Sequence, residues 1–169
     1  MTKLFYLAVQ AVLRSEGVLS DDAADRGGFT KYGISKRSYP TLDIAALTED
    51  DAIQLYHRDY WTAAGCELLP PALAVVLFDG VVNHGVRTAS KMLQRAVGAK
   101  EDGEVGPRTA EAAVAAGCPA LDRYMAARGR LYFNLARNDP RQERFIDGWL
   151  ARLIRTTREA IKIHQEVTQ

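Results

Sequence analysis

Glu16 stands where a carboxylate can do chemistry. It follows Phe5, Val9 and Val12 at helical spacing, so one further turn of that apolar face ends on an acid. Gly17 supplies a helix stop, which puts Glu16 in the last turn. There the negative end of the helix dipole and partial burial both disfavour the ionised form. A carboxylic acid kept protonated near neutral pH is what proton donation to a glycosidic oxygen requires. The same position also suits a glutamate paired with Arg14 or Arg26.

Downstream, Asp21, Asp22, Asp25 and Thr30 occupy a stretch without helical period, punctuated by Gly27, Gly28 and Gly33. Such a loop-rich lobe can fold over the end of the first helix and set a second carboxylate across a cleft. Two carboxylates flanking a bond are the minimum for glycoside hydrolysis, the second activating water or attacking the sugar. Asp and Gly are equally ordinary turn formers, and their spacing matches no calcium loop. No metal or organic cofactor is implied.

Other residues have two readings each. Tyr32, Tyr60 and Trp61 either stack on sugar faces or fill the core. Asn83, near the end of an apolar run, either bonds an acetamido group or caps its own backbone. Asp79 in that run reads as a structural hydrogen-bonding residue, and His84, without a partner motif, as structural.

The elements that position these residues are mostly helical. Residues 3–15 form the first helix, and residues 17–33 leave room for a short hairpin. Thr48 and Asp51 make a partial capping box ahead of a helix over 49–61, with Ile53, Tyr56 and Tyr60 on one face. Pro70-Pro71 starts a nearly all-apolar helix over 72–82, which is expected to be the buried centre. Helices follow over 87–97 and 108–116, the latter between Pro107 and Gly117, and Pro119 and Pro140 start two more. The expected class is mainly α (α+β, lysozyme-like): a helical bundle around a central buried helix, with a small β-hairpin lobe and a soft boundary at 98–106.

Composition agrees with a folded chain of 169 residues, 47% hydrophobic and 25% charged. The net charge of +1 hides an asymmetry, because residues 120–169 hold 10 Lys/Arg against 6 Asp/Glu. Arg152, Arg155, Arg158 and Lys162 recur at steps of three and four, which predicts one cationic helix face suited to an anionic polymer or an anionic membrane, or else merely solvated. No nucleic-acid partner is expected. Cys66 and Cys118 match no metal or redox spacing and read as small buried hydrophobes. No run approaches a membrane span, and the apolar stretch over 4–13 lacks a cleavage site. The expectation is therefore synthesis in the cytoplasm without an export signal.

Residues 15–35, SEGVLSDDAADRGGFTKYGIS, resemble the motif of glycoside hydrolase family 108. Glu16, Asp25, Gly27-Gly28, Thr30 and Tyr32-Gly33-Ile34 fill its places. Where that family commonly reads Glu-Gly-Gly-Tyr, this chain has Val18 and Leu19 in the last two positions. The Glu, Asp, Thr order is also similar to that of the phage-T4-type lysozymes. Tyr56, Tyr60-Trp61, Phe78-Asp79, Val82-Asn83 and Gly85 continue the likeness to family 108. Leu93-Gln94, Asp102-Gly103, Gly106-Pro107, Thr109 and Gly148-Trp149 resemble the peptidoglycan-binding region usually attached to it.

The resemblance implies an endolysin-like N-acetylmuramidase that hydrolyses the β-1,4 bond after N-acetylmuramic acid. Glu16 would be the general acid, with Asp25 directing water assisted by Thr30 and with inversion at the anomeric carbon. Tyr32, Tyr60, Trp61 and Asn83 would contact substrate. Residues 1–98 would form the catalytic region and 99–169 a helical peptidoglycan-binding region in the same body. Peptidoglycan strands are the implied partner, acted on in the cell wall, in the periplasm, with a holin for passage through the membrane. The alternatives are a non-catalytic peptidoglycan-binding protein and a lytic transglycosylase.

Overall fold

The computed structural model describes residues 1–16, 19–20 and 30–169, except for the side chains of Glu16, Leu19 and Ser20. Helix α1 (Lys3–Glu16) buries Phe5, Ala8, Val9 and Val12, the stripe that its spacing predicts. Three two-residue strands follow: β1 (Leu19–Ser20), β2 (Thr30–Lys31) and β3 (Ile34–Ser35). They form an antiparallel sheet in that order, one strand larger than the expected hairpin.

Lys31 pairs with Ile34, which leaves Tyr32 and Gly33 as a two-residue turn. Both have positive φ, 53° and 75°, the sense that matches the twist of the flanking strands. Glycine adopts this freely. Tyr32 is held in it by its carbonyl, which accepts a hydrogen bond from Tyr56 Oη at 3.0 Å. Ile34, fully buried, anchors the hairpin to the core.

Helix α2 (Glu49–Tyr56) opens on the predicted capping box. The Thr48 hydroxyl accepts from the Asp51 N–H, and the Asp51 carboxylate accepts from the Thr48 N–H. The chain does not continue as one α-helix to Trp61 but widens into a π-helix over His57–Thr62. A π turn brings residues five apart onto one face, where an α turn brings those four apart. Trp61, not Tyr60, therefore joins Tyr56 on the core side.

Helix α3 (Pro71–His84) is buried continuously over residues 73–81, as its nearly all-apolar sequence requires, with Asp79 the one charged residue inside. Around it pack α1, α4 (Val86–Val97), α6 (Pro119–Asn138) and α7 (Ile146–Thr168), with α5 (Pro107–Ala116) against α4 and α6. Pro140 starts a 3-10 turn, Pro140–Phe145, before α7 begins. The last helix runs antiparallel to the first: Lys3 meets Glu166 at 3.2 Å and Arg14 meets Glu159 at 3.3 Å. Both pairs are largely exposed and mark register more than they stabilise.

The turn-rich stretch 98–106 is tied down by one side chain. Buried Gln94 donates to Asp102 Oδ1 at 2.7 Å and to the Glu104 carbonyl at 3.0 Å, and accepts from the Gly103 N–H at 2.8 Å. That explains the company of Gln94 with Asp102-Gly103 physically, since the amide satisfies a loop that has no ladder of its own. Cys66 is buried as expected, but Cys118 is exposed at the start of α6, a correction to the reading of both as buried hydrophobes. Among the described residues no helix is long and apolar enough to cross a membrane.

Candidate active site

Glu16 is the final residue of α1, at the end of the buried stripe of Phe5, Val9 and Val12. Its side chain, and Asp25 with Gly27 and Gly28, lie outside the described residues. Thr30 opens β2, paired with Ser20 on one side and Ser35 on the other. Because β1 starts three residues after Glu16, covalent reach alone keeps the Leu19 Cα within about 11 Å of that of Glu16. The small sheet is thus held at the C-terminal end of α1.

Tyr32 is half-buried, with Lys31 Nζ 5.7 Å from its ring centre. Tyr60 is half-buried with its ring 5.2 Å from that of Tyr56. Trp61 is 2% exposed and meets Phe5 and Phe78 edge-on, so it fills the core, and the sugar-stacking role expected for it has no open ring face. Asn83 is exposed and donates from Nδ2 to the Asp79 carbonyl at 2.7 Å.

Below the surface, Asp79 of α3 is gripped by two arginines. Arg128 Nη2 of α6 lies 2.7 Å from Oδ2, and Arg152 of α7 meets Oδ1 through Nη2 at 2.8 Å and Nε at 3.1 Å. Burial by itself would raise the Asp79 pKa, but the two guanidiniums outweigh it and hold the carboxyl below its ordinary range. The structural role expected for Asp79 is therefore an ionic junction of three helices. Arg152, whose side chain is only 13% exposed, belongs to this junction and not to a free cationic face. Its expected membrane contact is corrected accordingly.

The remaining cations of that face line a cleft of about 510 Å³ between α1 and α7. Arg155, Arg158 and Lys162 border it from α7, and Arg14 and Ser15 border it from the last turn of α1. Ala8, Ala11, Val12 and Val75 form an apolar floor. Residues distant in sequence from Glu16 thus lie beside its helix end. An arrangement of cationic rim and apolar floor can hold an anionic organic group.

Three residues escaped the sequence reading: Arg128 and Gln94 as buried hubs, and Arg14 as a cleft residue. A polar side chain inside an otherwise core-facing stripe, as Gln94 follows Leu93 and precedes Ala96-Val97, was the available signal.

The fold is mainly α and lysozyme-like. Residues 9–85 match the glycosyl hydrolase 108 family and residues 88–154 the predicted peptidoglycan domain, so the chain is similar to that hydrolase family over its N-terminal part and to that domain after it. It is similar to SagA of Brucella abortus, a solved structure, with 26% identity, a TM-score of 0.82 and 95% of each chain covered. No curated protein matches the chain. A peptidoglycan-hydrolysing glycosidase, and not a non-catalytic binder, is what these likenesses support.

Proposed function

We propose that the protein is an N-acetylmuramidase that hydrolyses the β-1,4 bond between N-acetylmuramic acid and N-acetylglucosamine, with Glu16 as general acid. The observation that carries this reading is the position of Glu16, which ends a core-facing stripe of α1 within the glycosyl hydrolase 108 match, three residues before the sheet that bears Thr30. Asp25 directs and deprotonates water, and Thr30 helps hold it. Water attacks the face opposite the departing oxygen, so the anomeric centre inverts. Tyr32, Tyr60 and Asn83 contact the glycan. Residues 1–98 carry the chemistry and 99–169 retain the wall polymer, the two sharing the core around α3.

Reducing-end detection with mass spectrometry on purified sacculi tests this. A reducing muramic acid supports hydrolysis at the named bond, an anhydro product assigns lytic transglycosylation instead, and a reducing glucosamine assigns the other bond. Product anomer analysis by NMR tests inversion. Action in phage-type lysis, with a holin opening the membrane, extends the same reading and is tested by lysis on co-expression with a holin.

A further inference from the structure

The α1–α7 cleft contains more positive charge than the fold uses. Arg14 is paired across it with Glu159, and Arg152 is consumed by Asp79. Arg155, Arg158 and Lys162 remain, exposed and without an ion pair among the described residues. They share one side of α7, while Thr156, Ala160 and Ile163 bury the other. All three lie beyond residue 154, where the second family match ends, so neither match assigns them a role.

Three unneutralised cations over an apolar floor select a ligand with several carboxylates and short aliphatic parts. The glycan backbone itself is uncharged. The peptide stem attached to the lactyl group of muramic acid carries free carboxylates between small alkyl groups, and a cleft of about 510 Å³ is of the size that holds a short peptide. Ser15 adds a hydroxyl to the rim, one residue before the proposed acid.

We propose that the α1–α7 cleft recognises the free carboxylates of the peptide stem on muramic acid, through Arg155, Arg158 and Lys162. This rests on the muramidase reading for the identity of the ligand. It makes the enzyme a reader of stem charge: glycan whose stem carboxylates are free is held beside the end of α1, and glycan whose carboxylates are amidated is held less well. The cations that suggested an anionic membrane thereby acquire a substrate role.

Calorimetric titration of the full chain with N-acetylmuramyl tripeptide, in free-acid and carboxamide forms, tests the proposal without requiring turnover. The free acid should bind about tenfold tighter or better at low salt, the size of one charge-assisted hydrogen bond. The preference should shrink as salt rises. In the triple variant Arg155→Gln, Arg158→Gln, Lys162→Gln the ratio should fall close to one with the melting temperature retained. Removing the same charge elsewhere, by Arg37→Gln, Lys100→Gln and Arg108→Gln, should leave the ratio unchanged. Equal binding of both forms by the parent, a preference that survives the triple variant, or its loss in the control variant would each overturn the proposal. So would salt-sensitive binding to phosphatidylglycerol vesicles without discrimination between the two peptides, which would assign the cations to a membrane. Failure of the muramidase reading is seen separately, in the sacculus products.

Discussion

Arg152 of α7 presses its guanidinium against the buried carboxylate of Asp79 on α3, with Nη2 2.8 Å from Oδ1, and so fastens the C-terminal helix to the central one. With Arg128 fully buried on the other carboxylate oxygen, the junction joins α3, α6 and α7. Breaking one member of such a group leaves the others uncompensated in a desolvated place.

Asp79→Asn should therefore destabilise the fold by about 3–5 kcal/mol, since two guanidiniums lose their counter-charge. Arg152→Gln should cost less, because its side chain can reach solvent and Arg128 stays paired. Urea unfolding followed by circular dichroism compares the variants. A loss below about 1 kcal/mol for Asp79→Asn would show that the junction stabilises little.

Acid should unfold the protein in two limbs. Burial, reinforced by Arg128, lowers His84 from its ordinary 6.5 to about 4. The folded state thus resists protonation there, and the stability that neutral His84 contributes is complete above pH 6.5 and lost as pH falls towards 4. Asp79, held below its ordinary range, contributes above its unfolded pKa of about 3.9 and loses that contribution as pH falls through its folded value. His84→Gln should flatten the upper limb and leave the lower one. Unchanged slopes between pH 6.5 and 4 would assign the upper limb to another group.

Glu16→Gln should lower kcat by about 10²–10⁴-fold with the melting temperature preserved, because an amide of the same shape has no proton to donate. Asp25→Asn should be severe and Thr30→Ala milder. Turbidity clearance of sacculi, with the mass-spectrometric product check, reads these effects. Retention of more than roughly a tenth of activity in Glu16→Gln removes it from the acid role.

Gly80→Ala should destabilise by about 1–3 kcal/mol, since the added methyl overlaps the hydroxyl of Tyr124, whose ring is fully buried. Tyr124→Phe in the same chain should restore part of the loss. The Tyr124 oxygen has no hydrogen-bond partner among the described residues, so little bonding is given up. If the double variant is as unstable as Gly80→Ala alone, the overlap is not the cause.

Local order was legible in the sequence wherever one periodicity decides it. The Phe5, Val9, Val12 stripe, the Thr48–Asp51 capping box and the continuous apolar run of α3 each specify an element through its own residues, and α1, α2 and α3 follow. The order of Glu16, Asp25 and Thr30 was legible as a motif, and so was the class of enzyme it belongs to. The π-helix was not, because the choice between Tyr60 and Trp61 as the core residue depends on Phe5 and Phe78 arriving from other helices.

The fate of the cationic face was decided by packing alone. Steps of three along a helix each rotate the direction by about 60°, so from Arg152 through Arg155 to Arg158 the charges swing by about 120°. The first stays on the buried stripe with Thr156, Ala160 and Ile163, whereas the others turn to the cleft. The sequence by itself determined that these charges exist and which helix bears them. Only the tertiary structure decided that Arg152 would meet Asp79, 73 residues away, and that Arg155, Arg158 and Lys162 would face the end of α1, because long-range pairings depend on how helices dock and not on the spacing within any one of them.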